Sequence, residues 1–343
     1  MRGLSCWSGL AVNIHIVVFL VERWFLTRFL ISDSYQSLCE EFDSLQSGIN
    51  ESQTSTHRCN TSTFIKYPTS MNTSQTLKVN AQPVRRQDGK VYIACEGPNL
   101  LTVYDFWTLV WQERIKTIIS LNFPYEERLH PQLYTECQET IQYWPVVQDE
   151  IYHFMPFKIT CISTSLMANS ENPASNDEDC IYRQTQLRIR NCNPLYPEKD
   201  RILTHFCYLR WPDGRLPLKC GKQTTLAEAA DLLLQILHKV TDQKVLVHCH
   251  AGIGRTGVLV AMDFAMHELK KSQFVNIQTL IQKIRQQRPR LVMNRWQYAF
   301  INAVVAEQAY NLGYLKDRIG GHITRQLINK LWINLENDMN RYF

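Results

Sequence analysis

The chain has 343 residues, 45% of them hydrophobic, so it is long enough to bury a sizeable core as one large α/β domain or two small ones. Its formal net charge is +5, from 37 basic and 32 acidic residues. This charge is too small to indicate a nucleic-acid binder, which is typically strongly basic. The 11 cysteines are odd in number and show no Cys-x-x-Cys or metal-type spacing. We therefore expect reduced thiols, no metal and no cofactor.

The amino-terminal segment, residues 1–32, differs in composition from the rest because residues 3–20 are mostly apolar. Asn13 and His15 interrupt the apolar run, and no small-residue cleavage site follows it. An amphipathic helix, or an extension that precedes the domain, is therefore favoured over a signal peptide or a membrane anchor. Membrane association of residues 3–20 is the minor alternative.

Apolar runs further along the chain predict short central strands, and apolar spacings of three and four residues predict helices. The predicted strands span residues 117–121 and 245–247, and the predicted helices span residues 226–240, 258–269, 277–287 and 296–310. This alternation predicts an α/β (α+β) fold, a single domain with a highly twisted mixed sheet flanked by helices. Beyond residue 314 the sequence is amphipathic with mixed charge, and we assign that tail no function.

The segment after the strand at 245–247 predicts an anion-binding loop, which we call the cysteine loop (residues 248–254). It is short, contains glycine and precedes a helix, so its backbone N–H groups and the helix N-terminus are expected to converge on one point. Cys249 supplies a soft nucleophile whose thiolate the same groups would stabilise. Arg255 supplies a planar fork that matches two phosphate oxygens. The loop thus predicts covalent phosphoryl transfer.

These residues resemble a known signature. The run His248-Cys249-His250-Ala251-Gly252-Ile253-Gly254-Arg255-Thr256-Gly257 is similar to the His-Cys-x-x-Gly-x-x-Arg-Thr-Gly pattern of the cysteine-dependent protein tyrosine phosphatases. The resemblance implies the tyrosine phosphatase fold, a Cys249 nucleophile and an Arg255 phosphate clamp. It implies that Thr256 hydrogen-bonds the thiolate and that His248 tunes it. It also implies phosphate binding by the loop residues His250, Ala251, Gly252, Ile253, Gly254 and Arg255.

A second segment, Trp211-Pro212-Asp213, resembles the mobile acid loop of the same family, and we call residues 209–217 the acid loop. When the thiolate attacks phosphorus, the departing tyrosyl oxygen needs a proton, and Asp213 is the predicted general acid. Once ionised, Asp213 is the predicted base that deprotonates the water hydrolysing the cysteinyl-phosphate. Trp211 is the expected hinge anchor. A sulfurtransferase of the rhodanese type, which also uses a cysteine loop, would lack this segment.

The resemblance extends over residues 33–312, which we predict as the phosphatase domain, with residues 313–343 as a carboxy-terminal tail. Further matching segments are Glu40-Glu41-Phe42, Glu96-Gly97-Pro98, Gln142-Tyr143-Trp144-Pro145 and Arg285-Gln286-Gln287-Arg288-Pro289. The matches therefore cover most of the chain and leave its two ends unexplained.

Several positions depart from the family pattern. Tyr67 is the candidate ring that stacks on the substrate tyrosine, and Thr69 replaces the aspartate that normally holds the peptide backbone. Met293 replaces a water-positioning glutamine, and because methionine is only a weak acceptor, we expect Gln297 to bind that water instead. His250 replaces a serine whose main contribution is its N–H group. The departures predict slower hydrolysis of the intermediate.

Two functional hypotheses follow. The first is an active phosphatase acting on phosphotyrosyl proteins, and the second is a slow or inactive pseudophosphatase that binds and shields them. A lipid phosphatase is disfavoured because no lysine lies between Cys249 and Arg255 to attract an inositol head group. The single-domain layout and divergent substrate loop also resemble the phosphatases of parasitoid-wasp polydnaviruses. The expected location is the cytoplasm, or the host-cell cytoplasm for a viral protein.

Overall fold

The computed structural model describes residues 34–47, 77–125, 139–167, 182–193, 200–217, 225–315 and 321–342. These residues divide into two compact units. The sheet unit comprises the described residues of 50–259 and 284–293, and the helical unit comprises those of 1–49, 260–283 and 294–343. Residues 3–20 of the apolar segment and the candidate ring Tyr67 lie outside the described residues.

The sheet unit contains one mixed sheet of eight strands. The strands are β1 (Ala81–Arg85), β2 (Val91–Glu96), β3 (Thr117–Ser120), β4 (Ile151–Phe154), β5 (Phe157–Met167), β6 (Tyr182–Asn191), β7 (Arg201–Tyr208) and β8 (Lys244–Cys249). Their order across the sheet is β1-β2-β8-β3-β7-β6-β5-β4. The central strands β2, β8, β3 and β7 run parallel, whereas β1 on one side and β6, β5 and β4 on the other pair antiparallel. The predicted mixed α/β fold is confirmed.

The parallel centre of the sheet is buried on both faces, which explains why its strands are continuous apolar runs instead of alternating patterns. All four residues of β3 are buried, as are five of the six residues of β8. On one face, Ile93, Ile118 and Leu246 pack with Phe106 and Trp107 in the main core cluster. The register pairs Cys95 with His248 and Glu96 with Cys249, so Cys95 shares this face with His248. Cys249 therefore projects from the other face.

Seven helices lie within the described residues. They are α1 (Ser34–Ser47), α2 (Val103–Gln112), α3 (Leu226–Lys239), α4 (Gly254–Ser272), α5 (Ile277–Gln287), α6 (Arg295–Asn311) and α7 (Gly321–Tyr342). A capping box starts α3, because the Thr225 hydroxyl accepts from the Glu228 N–H and the Glu228 carboxylate accepts from the Thr225 N–H. The four predicted helices correspond to α3, α4, α5 and α6, and α5 has the predicted bounds.

The helical unit brings α1, α6 and α7 together around partly buried acidic side chains. Asp338 on α7 accepts hydrogen bonds from the Tyr35 hydroxyl at 2.5 Å and from the Trp296 indole at 2.9 Å. Burial, and then the Asp338 hydrogen bond, raise the pKa of Tyr35. Glu41 accepts from Tyr298 in the same way. No helix in the described part of the chain is both long and apolar enough to cross a membrane.

Candidate active site

The cysteine loop begins at the carboxyl end of β8, where the ends of the four parallel strands meet. Open α/β sheets bind ligands at such an edge. Neighbouring strand ends hold the loop: the Leu121 N–H after β3 donates to the His248 carbonyl at 2.8 Å, and the Gly97 N–H after β2 donates to the His250 carbonyl at 2.9 Å. The start of the loop is thereby fixed to two strands besides its own.

The carbonyls of the next three loop residues are also held, by the segment that follows α5. Arg288 donates from Nη2 to the Ala251 carbonyl at 3.2 Å and from Nε to the Gly252 carbonyl at 2.8 Å. The Val292 N–H donates to the Ile253 carbonyl at 3.2 Å. With the His250 carbonyl on Gly97, four consecutive loop carbonyls are therefore bonded to other segments.

This arrangement decides where the loop N–H groups point. In a trans peptide unit the C=O of one residue and the N–H of the next point in opposite directions. Holding the carbonyls of residues 250–253 therefore turns the N–H groups of residues 251–254 away from the segments that hold them. The N–H groups of Ala251, Gly252 and Ile253 donate to no described atom. Helix α4 starts at Gly254, so its positive N-terminus adds to these donors. The geometry is that of an anion site.

Gly252 allows the loop to pack this closely against β2. Its φ of +67° lies in the left-handed region, which L side chains rarely adopt. A Cβ at this position would lie 2.1 Å from the Cys95 carbonyl oxygen. The loop therefore needs glycine here for two independent reasons.

Cys249 is the last residue of β8 and is buried. It is one of six cysteines within the described ranges, and all six are thiols without a disulfide: Cys39, Cys95, Cys161, Cys192, Cys207 and Cys249. Burial raises the pKa of the Cys95 thiol well above its usual value, and nearby Glu96 adds to this.

Thr256 is fully buried, and its hydroxyl has no hydrogen-bond partner among the described residues. Its hydrogen bond to the thiolate stays a prediction.

Arg255 connects the cysteine loop to the acid loop. Its side chain is 0% exposed, its Nη1 donates to the Trp211 carbonyl at 2.7 Å, and its Nη2 lies 3.1 Å from the Asp213 carboxylate. The Trp211 indole donates in turn to the Arg215 carbonyl at 2.9 Å, which closes the acid loop on itself. The predicted clamp and the predicted general acid are thus in contact.

A buried network lies beneath both loops. The Tyr143 hydroxyl is 2.6 Å from His205 Nε2 on β7 and 2.6 Å from His248 Nε2 on β8. The other nitrogen of His248, Nδ1, lies 3.3 Å from the Cys249 carbonyl, so it carries the proton if it bonds that oxygen. Nε2 of His248 then accepts from Tyr143, and Nε2–H of His205 donates to Tyr143. Burial lowers the pKa of His205 well below its usual value.

The structure accounts for some predicted site residues and leaves others untested. Asp213, Arg255, His248 and the loop residues 249–254 lie at the same end of the sheet, and His205 and His248 are both within hydrogen-bond distance of the Tyr143 hydroxyl. Gln297 lies in the first turn of α6, where its N–H donates to the Asn294 side chain at 2.9 Å. Its contact with the hydrolytic water stays a prediction. Tyr67 and Thr69 lie outside the described residues.

Sequence reasoning missed the functions of Tyr143 and Arg288. Both were in segments that matched the family pattern, but each matched as part of a string without an assigned contact. A fully buried arginine and a buried tyrosine hydroxyl need partners, and those partners lie far away in the sequence. The only available signal was their presence in those segments.

Comparison with known proteins agrees with this geometry. Residues 50–307 match the family model of the protein-tyrosine phosphatases. The chain is 31% identical over 244 residues to human tyrosine-protein phosphatase non-receptor type 7, covering 68% of this chain and 57% of the relative. It is 30% identical over 225 residues to tyrosine-protein phosphatase 1 of Caenorhabditis elegans, covering 66% of this chain and 19% of the relative. The chain thus spans about half or less of these curated relatives.

A solved structure supports the fold independently. This chain matches a solved structure with a TM-score of 0.60 and 22% identity. That structure is described as the structural basis of the PTPN18 fingerprint on distinct HER2 tyrosine phosphorylation sites. The match covers 84% of this chain and 99% of that one. The resemblance to polydnavirus enzymes is not tested by these relatives and stays a prediction. The matched residues 50–307 make up most of the chain, and the chain belongs to the protein-tyrosine phosphatase family.

Proposed function

We propose that this protein hydrolyses phosphotyrosine in proteins through a cysteinyl-phosphate intermediate on Cys249. The observation that carries the proposal is the cysteine loop, in which Ala251, Gly252 and Ile253 present unused N–H donors and Arg255 adds a buried guanidinium. A phosphate dianion is the ligand that such a set of donors and charge favours. The matched relatives are named tyrosine-protein phosphatases, which supports phosphotyrosyl proteins as the substrate class.

In the first proposed step, the Cys249 thiolate attacks phosphorus, and the bond between phosphorus and the tyrosyl oxygen breaks. Asp213 gives its proton to that oxygen, so tyrosine leaves as a neutral phenol. Loop N–H groups and Arg255 stabilise the charge on the transferring phosphoryl group. Before this step, substrate binding moves the Arg255 contact from Asp213 to the phosphate oxygens, which frees Asp213 to take up a proton from solvent and to meet the leaving group.

In the second step, water attacks the cysteinyl-phosphate and gives a proton to the Asp213 carboxylate. The sulfur–phosphorus bond breaks, which releases inorganic phosphate and restores the thiolate. We assign Thr256 to this step as the donor to the thiolate, which the lack of a described partner for its buried hydroxyl supports. The thiolate chemistry suits a reducing compartment, so the cytoplasm, or the host-cell cytoplasm for a viral protein, is the proposed location.

The test is hydrolysis of a phosphotyrosyl peptide by the full chain, beside Cys249→Ser and Asp213→Asn variants. We expect no turnover by the serine variant, because its hydroxyl is a far weaker nucleophile. The asparagine variant keeps the shape of the acid but cannot give its proton, so we expect kcat to fall about 10²- to 10⁴-fold. Undiminished hydrolysis by Cys249→Ser would contradict the nucleophile assignment.

A second candidate function is capture of phosphotyrosyl proteins without efficient turnover. It is favoured by Met293, which stands where the family pattern has a glutamine, and by Thr69, which replaces an aspartate. Binding of a fluorescent phosphotyrosyl peptide, measured by anisotropy beside turnover, separates the two functions. Tight binding with no release of phosphate over hours identifies a capture protein, whereas steady release identifies an enzyme.

A further inference from the structure

Arg288 is a second buried guanidinium at the cysteine loop, and no step described above uses it. It follows α5 in the sequence and is 0% exposed. Besides the two loop carbonyls, its Nη1 donates to the side-chain oxygens of Asn80 at 3.1 Å and Gln82 at 3.3 Å. All four of its partners are therefore neutral oxygens.

The absence of a carboxylate partner is unusual for a buried charge. Among the residues that the structure describes, Arg288 forms no ion pair, whereas the equally buried Arg255 lies against Asp213. A buried charge without a counter-charge is costly, so such groups are ordinarily paired or neutralised. Neutral hydrogen bonds satisfy the five donors of Arg288 only in part and leave its charge uncompensated. An anion that binds at the loop would compensate it.

The two loop carbonyls on Arg288 connect its charge to the anion site. The peptide unit that accepts at the Ala251 carbonyl presents the Gly252 N–H on its opposite side, and the unit that accepts at the Gly252 carbonyl presents the Ile253 N–H. A hydrogen bond from a charged donor polarises the peptide that accepts it, and the polarised N–H then becomes a stronger donor. One guanidinium thereby orients two of the three unused N–H groups and strengthens both.

We propose that Arg288 is a positioning residue for the phosphoryl-transfer step, which holds and polarises the Gly252 and Ile253 N–H groups from behind the loop. A phosphate or a phosphoryl group in the loop supplies a counter-charge that its four neutral hydrogen-bond partners do not. This inference rests on the proposed function, but its first consequence, affinity for inorganic phosphate, does not require turnover.

The test compares Arg288→Met, Arg288→Lys and Gln287→Ala in the full chain. Gln287 is the matched control, because it sits beside Arg288 and exchanges two hydrogen bonds with the Arg85 backbone without contacting the cysteine loop. Calorimetry with inorganic phosphate should show at least about 10-fold weaker binding by Arg288→Met. Arg288→Lys keeps the charge but not the fork, so its affinity should lie between those of the wild type and the methionine variant.

The kinetic constants of the variants then distinguish a loss of orientation of the loop N–H groups from a general loss of protein stability. Donors that are fixed in advance act most strongly on the transition state, so Arg288→Met should lower kcat by about 10²- to 10³-fold and raise KM by less. The Gln287→Ala variant should keep the wild-type phosphate affinity and kcat. Should Arg288→Met fail to fold, Arg288→Lys decides the matter, and wild-type phosphate affinity and kcat in that variant would overturn the proposal.

The outcomes also distinguish this inference from the proposed function. A wild-type chain that binds phosphate but hydrolyses no phosphotyrosyl peptide contradicts the proposed function, and the order of phosphate affinities among the variants still tests Arg288. Phosphate affinity that is the same in Arg288→Met and the wild type overturns the proposal for Arg288, whatever the turnover.

Discussion

The cysteine loop and the acid loop meet at Arg255, but they are anchored differently. In the cysteine loop, the carbonyls of residues 250–253 are held by Gly97, Arg288 and Val292, which come from two distant parts of the chain. In the acid loop, the Trp211 indole bonds the Arg215 carbonyl and the Arg215 N–H bonds the Pro212 carbonyl, so these contacts lie within the loop.

The difference matches what each loop must do. An anion site must have its donors fixed before the ligand arrives, because reorganising them during the reaction costs free energy. A general acid must meet a substrate that enters and leaves, and a loop closed on itself can move as a unit about its two ends. The fixed loop is therefore expected to tolerate substitution much less than the acid loop does.

The sharpest test of that comparison uses one glycine from each loop. Gly252 has a φ of +67° and Gly214 has a φ of +69°, so both carry the same left-handed strain when substituted. A Cβ at Gly252 would lie 2.1 Å from the Cys95 carbonyl oxygen, whereas a Cβ at Gly214 would meet nothing within 4 Å. Gly252→Ala should therefore lower kcat/KM by about 10²-fold or more, since misplaced loop donors cost that much.

Gly214→Ala carries only the backbone strain, about 1–2 kcal/mol, and should lower kcat/KM by less than about 10-fold. Steady-state kinetics and thermal unfolding of both variants check the pair. Equal losses in the two variants would contradict the idea that the cysteine loop tolerates substitution less than the acid loop does.

A smaller effect is expected from Met293→Gln, which restores the amide of the family pattern beside Val292, one of the residues that hold the cysteine loop. The Val292 N–H donates to the Ile253 carbonyl, and the Val292 carbonyl accepts from Arg285 Nη2 at 2.7 Å, so the residue before Met293 is fixed on both sides. A glutamine here is expected to orient the attacking water and raise the rate of phosphoenzyme hydrolysis about 10-fold. Pre-steady-state kinetics measure it as a smaller burst relative to the steady state. An unchanged burst would indicate that Gln297 already positions the water.

The smallest effect concerns the network that joins the strands beneath the two loops. Burial lowers the pKa of His205, so the folded protein keeps this imidazole neutral while the unfolded chain protonates it near its ordinary value of about 6.5. Below that pH the unfolded state binds more protons, so the free energy of unfolding falls by up to about 1.4 kcal/mol per pH unit. Above about pH 7 the effect is absent.

Urea unfolding at pH 7.5 and pH 5.5 measures this loss. The His205→Gln variant should lose less stability on acidification than the wild type, because glutamine does not titrate. His238→Gln is the control, since His238 is exposed on α3, and it should behave as the wild type does. A His205→Gln variant with the wild-type pH dependence would exclude His205 as the source.

The sequence predicted the centre of this molecule better than the contacts that support it. The apolar run at 245–247 and the glycine-bearing loop after it identified β8, Cys249 and Arg255, because strand, nucleophile and clamp are neighbours in the chain. Arg288 reaches the loop through contacts formed only after folding, and no periodicity marks them. The sequence assigned no function to the amphipathic tail after residue 314, because Tyr35 and Trp296, the partners of Asp338 on α7, lie on α1 and α6.

The ion pair between Arg255 and Asp213 has a consequence for the end of the proposed catalytic cycle. In the proposed mechanism inorganic phosphate is the product, and it binds the guanidinium group that the Asp213 carboxylate contacts. Because Asp213 belongs to the same chain, it competes for that nitrogen at a high effective concentration that dilution cannot lower. We therefore expect the acid loop to compete with inorganic phosphate for Arg255 and to promote its release. Inhibition by inorganic phosphate should accordingly be stronger in Asp213→Asn than in the wild type, and equal inhibition constants would exclude such competition.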